Sequence, residues 1–290
     1  MESPHGAALS AEGFGLEGPR GWAFHGVEFS AGPGSLVAVT GPSGSGRTCL
    51  LLALTGRMRS TAGRAEVGGE RLPGRLAAVR GFSALGPVPG VSELDPALTV
   101  AEHLRERALL RRRFGGSPRS LLRPRAERAA ASRAVVETAL EAAGLDLADL
   151  PKAERTSVRD LERLEALRLS VALALMGGPR LIAVDDTDLK LSAPDRALAW
   201  HMLRRVADGG TTVLAVCSEA PDDALVVHTR PAGDQAAPPT AAGGGTPEDP
   251  PPGPDPGTAR PTAGETATAA ADDTTNRKDT ADAIAEAGRA

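Results

Sequence analysis

The sequence predicts an α/β fold: a parallel sheet covered on both faces, split by a helical insertion and followed by an unstructured tail. Three observations carry this. SLVAVT (35–40), RLIAVDD (180–186) and TTVLAVCS (211–218) are uninterrupted apolar runs of strand length, bounded by Gly, Pro or acidic residues. Continuous rather than alternating hydrophobicity suits strands buried on both faces, as in a parallel sheet. Between the first and second runs, about 99–176 is rich in Arg and Ala. It has helical periodicity in LTVAEHLRERALLRRR and RAVVETALEAAGL. From about Ala232 the composition changes: 232–290 holds ten acidic and four basic residues, nine prolines and, among Leu, Ile, Val, Met, Phe and Trp, only Ile284. Such a segment buries too little apolar area to offset its ordering entropy, apart from a short helical pattern near DTADAIAEAGRA.

The first strand runs directly into GPSGSGRT (41–48), then into TCLLLALTGRM, which is apolar enough for a core helix. Strand, glycine-rich loop and helix give the context of the phosphate-binding motif G-x-x-x-x-G-K-[ST], with Arg47 at the lysine position. Gly41, Gly44 and Gly46 let the backbone turn tightly and aim its N–H groups inward, beside the positive end of the helix dipole. Thr48 is placed to put its hydroxyl on Mg²⁺. Arg47 keeps the charge of lysine but carries it on a bulkier planar fork. Backbone-driven phosphate binding is therefore expected to persist better than placement of a terminal phosphate. The competing expectation is a glycine-rich turn with no ligand.

Bulk composition narrows the partners. The chain has 290 residues and a formal net charge of −4, of which the tail carries −6, leaving +2 for residues 1–231. No strong field points to nucleic acid, and the stretch 105–133, with ten arginines against Glu106 and Glu127, lacks interleaved aromatics. That stretch reads either as a contact with anionic head groups or a membrane partner, or as a solvated helical face. Cys49 and Cys217 give no disulfide framework or metal spacing and fit small core positions in a reducing compartment. His25, His103, His201 and His228 are scattered without metal-ligand spacing. No secretory signal opens the sequence, and CLLLAL (49–54) is far shorter than the roughly 20 residues of a bilayer span.

With these blocks in place, GVEFSAGPGSLVAVTGPSGSGRTCLLLALTGRMRSTAGRAEVGGERL resembles the opening of ATP-binding cassette (ABC) ATPases. LDPALTVAEHL (94–104) resembles the entry to that family's helical subdomain, GGPRLIAVDD (177–186) its Walker B strand, and TTVLAVCSEAPDDA (211–224) its switch strand. The order is that of the family over about 10–230. The resemblance implies a P-loop NTPase of the RecA-like, ABC type occupying 1–231, with a helical subdomain at about 99–176. It implies ATP bound by Gly41, Pro42, Ser43, Gly44, Ser45, Gly46, Arg47, Thr48 and Cys49, with Trp22 stacked on adenine. Mg²⁺ would lie on Thr48 and, through water, on Asp185.

Other positions depart from the family pattern. Asp186 stands where a glutamate orients the attacking water, and Ser218 where the switch histidine falls. The Q-loop glutamine position falls near Gly90, in PVPGVSEL. LERLE (161–165) replaces the signature, with Arg163 and Leu164 in place of its two glycines, although Arg168 and RLSVALALM follow as in the family. Groups that touch the terminal phosphate are thus altered, while those for the inner phosphates and metal are retained. The expectation is nucleotide binding with slow or absent hydrolysis, in which Asp186 and Ser218 are the catalytic candidates.

The partners implied are a separate membrane permease and a second nucleotide-binding domain, in a homo- or heterodimer, at the cytoplasmic face of the membrane. Two alternatives remain: a regulatory or assembly module that senses nucleotide without turnover, and a P-loop kinase or other NTPase. The 138 residues separating Arg47 from Asp185 weigh against the second.

Overall fold

The computed structural model describes residues 5–114 and 124–230. The expected tail at 232–290, with its short helical pattern, lies outside the described residues. A long hairpin opens the fold, β1 (Leu9–Gly18) against β2 (Gly21–Ala31). The run SLVAVT becomes β3 (Leu36–Thr40), every residue of it buried. The first helix, α1 (Arg47–Leu54), follows the glycine-rich loop. It takes in the whole apolar run 49–54 and ends there: the Thr55 hydroxyl donates to Leu51 O at 2.9 Å, and Gly56 turns away at φ 73°. Next come β4 (Ala62–Val67), β5 (Glu70–Leu72), α2 (Leu76–Phe82) and the short β6 (Ser83–Leu85).

The Arg- and Ala-rich region forms α3 (Val100–Phe114), α4 (Arg125–Ala143) and α5 (Arg163–Leu175). The Thr99 amide and hydroxyl both donate to Glu102 Oε2, at 2.8 and 2.7 Å, which starts α3 with a reciprocal cap. Arg107 Nε donates to Leu173 O at 2.9 Å and ties α3 to α5. The other two apolar runs become β7 (Leu181–Val184) and β8 (Thr212–Val216), joined by α6 (Ala193–Asp208). A last strand, β9 (Leu225–His228), follows.

Two sheets result: an antiparallel one in the order β2-β1-β4-β5, and a parallel one in the order β6-β7-β8-β3-β9. The parallel sheet explains the continuous runs. Leu36, Ala38, Ile182, Val184, Val213 and Ala215 pack on the side of α3 to α6. Val37, Val39, Leu181, Ala183, Leu214 and Val216 pack with α1 and with Phe14 and Phe24 of the antiparallel sheet. Each Val, Leu, Ile or Phe among them contributes about 1.5–3 kcal/mol when fully buried. The strands all point their carboxyl ends to one edge, where loops from β3, β7 and β8 converge. That edge is where open α/β sheets bind ligands.

Candidate functional site at the carboxyl edge of the parallel sheet

The loop after β3 is shaped by three glycines in distinct surroundings. Gly46 precedes α1 at φ 79°, and a Cβ there would lie 2.0 Å from Ala23 O of β2. At Gly41 a Cβ would meet Thr229 Oγ1 at 2.5 Å and Ser45 Oγ at 2.7 Å. Gly44, at φ 80°, has nothing within 4 Å of that position. Two glycines are thus packed from behind while the third opens outward. Among the described residues the Gly44 and Gly46 amides have no hydrogen-bond partner. Those of Arg47 and Thr48 are in the first turn of α1, beyond the helical ladder. Pro42, Ser43 and Gly44 are exposed, whereas Ser45 is buried. The Ser45 and Thr229 hydroxyls lie 2.6 Å apart, and the Ser45 amide donates to Pro42 O at 3.2 Å.

Around this loop the structure gathers most of the residues singled out from the sequence. Thr48 Oγ1 donates to Asp185 Oδ2 at 2.6 Å, and the Asp186 amide donates to Asp185 Oδ1 at 2.9 Å. Burial raises the Asp185 carboxyl above its ordinary value of 3.8. The Asp186 charge adds to this, and the Thr48 hydrogen bond, the Asp186 amide and Arg47 oppose it. Asp186 is half-buried and sits at φ 49°, a left-handed conformation uncommon outside Gly, Asn and Asp. Arg47 Nη1 donates to Cys217 O at 2.9 Å, so the guanidinium bridges from α1 to the end of β8. Ser218 follows, exposed. Burial, helped by Asp188, pushes the Cys217 thiol up to about 12; the Cys49 thiol is also raised by burial and by Asp185. Both cysteines are therefore protonated at neutral pH, which agrees with inert packing positions.

Trp22 is half-buried on β2, its ring edge-on to His25 with centroids 5.8 Å apart. A Cβ on Gly15 would meet that ring at 3.0 Å; what packs against Gly46 is the backbone carbonyl of the next residue, Ala23. Gly90 is in an exposed turn at φ 71°, its amide donating to Glu93 Oε1 at 3.1 Å. LERLE leads into α5 through a cap made by carboxylates: the Glu162 side chain accepts from the Glu165 backbone, and the Glu162 amide donates to Glu165 Oε2 at 2.8 Å. Neither segment hydrogen-bonds to the loop at 41–48 among the described residues.

Two residues here escape sequence reading. Asp188, buried, accepts from the Ser218 amide at 2.8 Å and the Glu219 amide at 3.1 Å, fixing the turn after β8. Thr229 braces the loop through Ser45, and its amide donates to Thr40 O at 2.9 Å. Only the nearness of Asp188 to Asp185 in sequence hinted at the first; no pattern marks the second.

Fold and site together define a P-loop nucleotide-binding protein. The family model for ABC transporters matches residues 24–188, more than half of the sequence. The chain belongs to the ABC transporter family. It is 31% identical over 207 residues to a Nod factor export ATP-binding protein I of Ralstonia nicotianae, a match covering 71% of this chain and 58% of that protein. The same-named protein of Paraburkholderia xenovorans is 33% identical over 189 residues, covering 65% and 55%. The chain spans about half the length of the curated relatives it matches.

Among solved structures, a bacterial Atm1-family ABC exporter with ATP bound superposes at a TM-score of 0.58. It has 21% identity and covers 79% of this chain and 37% of the exporter chain. A dimeric ATP-binding cassette in a post-hydrolysis state with ADP and Pi gives 0.56 at 20% identity, covering 73% and 88%. These likenesses bear out the α/β fold. Among the described residues no helix is long and apolar enough to cross a membrane.

Proposed function

We propose that the chain is the nucleotide-binding subunit of an ABC-type transport system, binding MgATP and coupling it to a separate membrane permease. One observation carries this reading: Gly44 opens outward beside unpartnered loop and first-turn amides, while Thr48 and Asp185 meet at 2.6 Å beside them. Amides at a helix N-terminus suit phosphate oxygens, and a hydroxyl with a carboxylate suits a hard cation. Thr48 and Asp185 would hold Mg²⁺, which supplies charge neutralisation at the phosphates. Gly41 to Cys49 would enclose the inner phosphates, and Trp22 would offer its ring to the base. Residues 1–231 are assigned to this domain, with its helical subdomain at about 99–176.

Hydrolysis is proposed to be slow. Arg47 is held by Cys217 O. Asp186 is one methylene shorter than glutamate, and misplacement of about 1 Å costs on the order of 10²-fold. The exposed Ser218 hydroxyl cannot carry positive charge. Asp186 would orient water, with Ser218 near it.

The carboxylate cap on α5 favours a second reading, a module that senses nucleotide and dimerises without turnover. Glu162 and Glu165 occupy the N-terminus of α5, where a second subunit's terminal phosphate would otherwise find free amides. Steady-state ATPase of the wild type beside Arg47→Lys and Asp186→Glu separates the readings. Measurable turnover that rises in Asp186→Glu supports the transport ATPase. No turnover in any of the three proteins, with ATP bound by all, supports the sensor.

A further inference from the structure

We propose that the distal end of α3 is a docking surface for an anionic lipid bilayer. The helix is buried at its start, through Val100, His103 and Leu104, and held to α5 at Arg107. Beyond that anchor its character changes. Leu109 and Leu110 are 56% and 42% exposed, and Arg111, Arg112 and Arg113 follow, all exposed. Arg111 and Arg112 form no ion pair among the described residues.

Isolated exposed leucines are common on protein surfaces. On the helix Leu109, Leu110 and, one turn on, Arg112 share a face, the pattern of an interfacial segment in which apolar side chains enter the acyl boundary while arginines meet head groups. Charge complementarity selects the occupant. The described residues of the stretch 105–133, at 105–114 and 124–133, carry eight arginines and two glutamates, a net of +6, in a chain whose formal total is −4. Arg105 within α3, and Arg125 and Arg133 in the first half of α4, add exposed positive charge. Such a cluster is attracted within a Debye length, about 8 Å at physiological salt, of a negatively charged leaflet. Nucleic acid fits less well. Single strands need aromatic stacking platforms, and Trp, Phe and Tyr together make up 2% of the chain. The surface is separate from the nucleotide loop, so this inference stands without the functional reading above.

Co-sedimentation of the full chain with vesicles tests it. One set contains phosphatidylcholine alone, the other equal parts phosphatidylcholine and phosphatidylglycerol. The wild type is expected to bind the anionic vesicles only, and more weakly as salt rises. Arg111→Glu with Arg112→Glu weakens binding by roughly 20-fold or more. Leu109→Gln with Leu110→Gln weakens it several-fold without changing the salt dependence. Arg71→Glu with Arg75→Glu, the same charge change at exposed residues of β5 and of the turn before α2, leaves binding within about two-fold; thermal melts confirm that each variant folds. Absence of wild-type binding overturns the proposal, as does equal loss in the Arg71/Arg75 control. Duplex DNA that binds the leucine variant as tightly as anionic vesicles bind the wild type assigns the surface to nucleic acid instead.

Discussion

The Thr48 hydroxyl donates to Asp185 Oδ2 at 2.6 Å, joining the first turn of α1 to the end of β7. Asp185 is buried, and desolvation raises its pKa above the ordinary 3.8. A carboxyl whose folded pKa is raised stabilises the fold below its unfolded pKa and loses that contribution as pH rises through the folded one. Asp185→Asn keeps an acceptor for Thr48 and removes the buried charge. Its Tm should exceed that of the wild type at pH 7, and the gain should shrink as pH falls toward 4. A Tm difference independent of pH would contradict this.

The loop glycines should differ sharply in tolerance. Gly46→Ala places a Cβ 2.0 Å from Ala23 O and keeps φ 79°, so β2 must move. Overpacking and left-handed strain together cost about 3 kcal/mol or more. Gly44→Ala has free space and pays only the strain, about 1–2 kcal/mol. Urea unfolding of the two variants measures the contrast.

Thr229 is expected to act on the loop from behind. Its hydroxyl is 2.6 Å from Ser45 Oγ and 3.2 Å from Thr40 O. Thr229→Val preserves shape but strands the buried Ser45 hydroxyl, at a cost of about 1–3 kcal/mol. Hydrogen exchange at the Ser45 amide, which donates to Pro42 O, should accelerate in that variant and return to the wild-type rate in Thr229→Ser.

Asp188 makes a parallel case at the turn after β8. Asp188→Ala leaves the Ser218 and Glu219 amides without their carboxylate and should destabilise by about 1–3 kcal/mol. Asp188→Asn retains one acceptor oxygen and should lose less. Equal losses in urea unfolding would mean that packing, rather than the hydrogen bonds, sets the cost.

The parallel sheet was legible in the sequence because both its faces are covered, so β3, β7 and β8 carry unbroken apolar runs. The antiparallel sheet was not legible in the same way. Strand β1 contains Gly13, Gly15 and Gly18, and its register with β2 shifts three times, which breaks the two-residue period. Strand β9 is only four residues long, too short for a period to declare itself. At the site, the loop and Thr48 were recognisable from spacing, and Asp185 from the resemblance of its strand to the family's Walker B segment. Asp188 and Thr229 were not, because both act on groups supplied by segments distant in sequence, 30 residues away for Ser218 and 184 for Ser45. The bridge from Arg47 to Cys217 O is likewise a product of folding, which brings α1 beside β8.

The central claim is that main-chain amides at 41–48 hold the inner phosphates of a nucleotide whether or not the terminal one is cleaved. Isothermal titration of the wild type with MgATP and with MgADP tests it most directly. Both should bind with affinities within about tenfold, a difference of about 1.4 kcal/mol. Nucleotide at 100 times its Kd should also stabilise the fold by about 2.7 kcal/mol. Neither heat nor a Tm shift from either nucleotide at millimolar concentration would contradict the account.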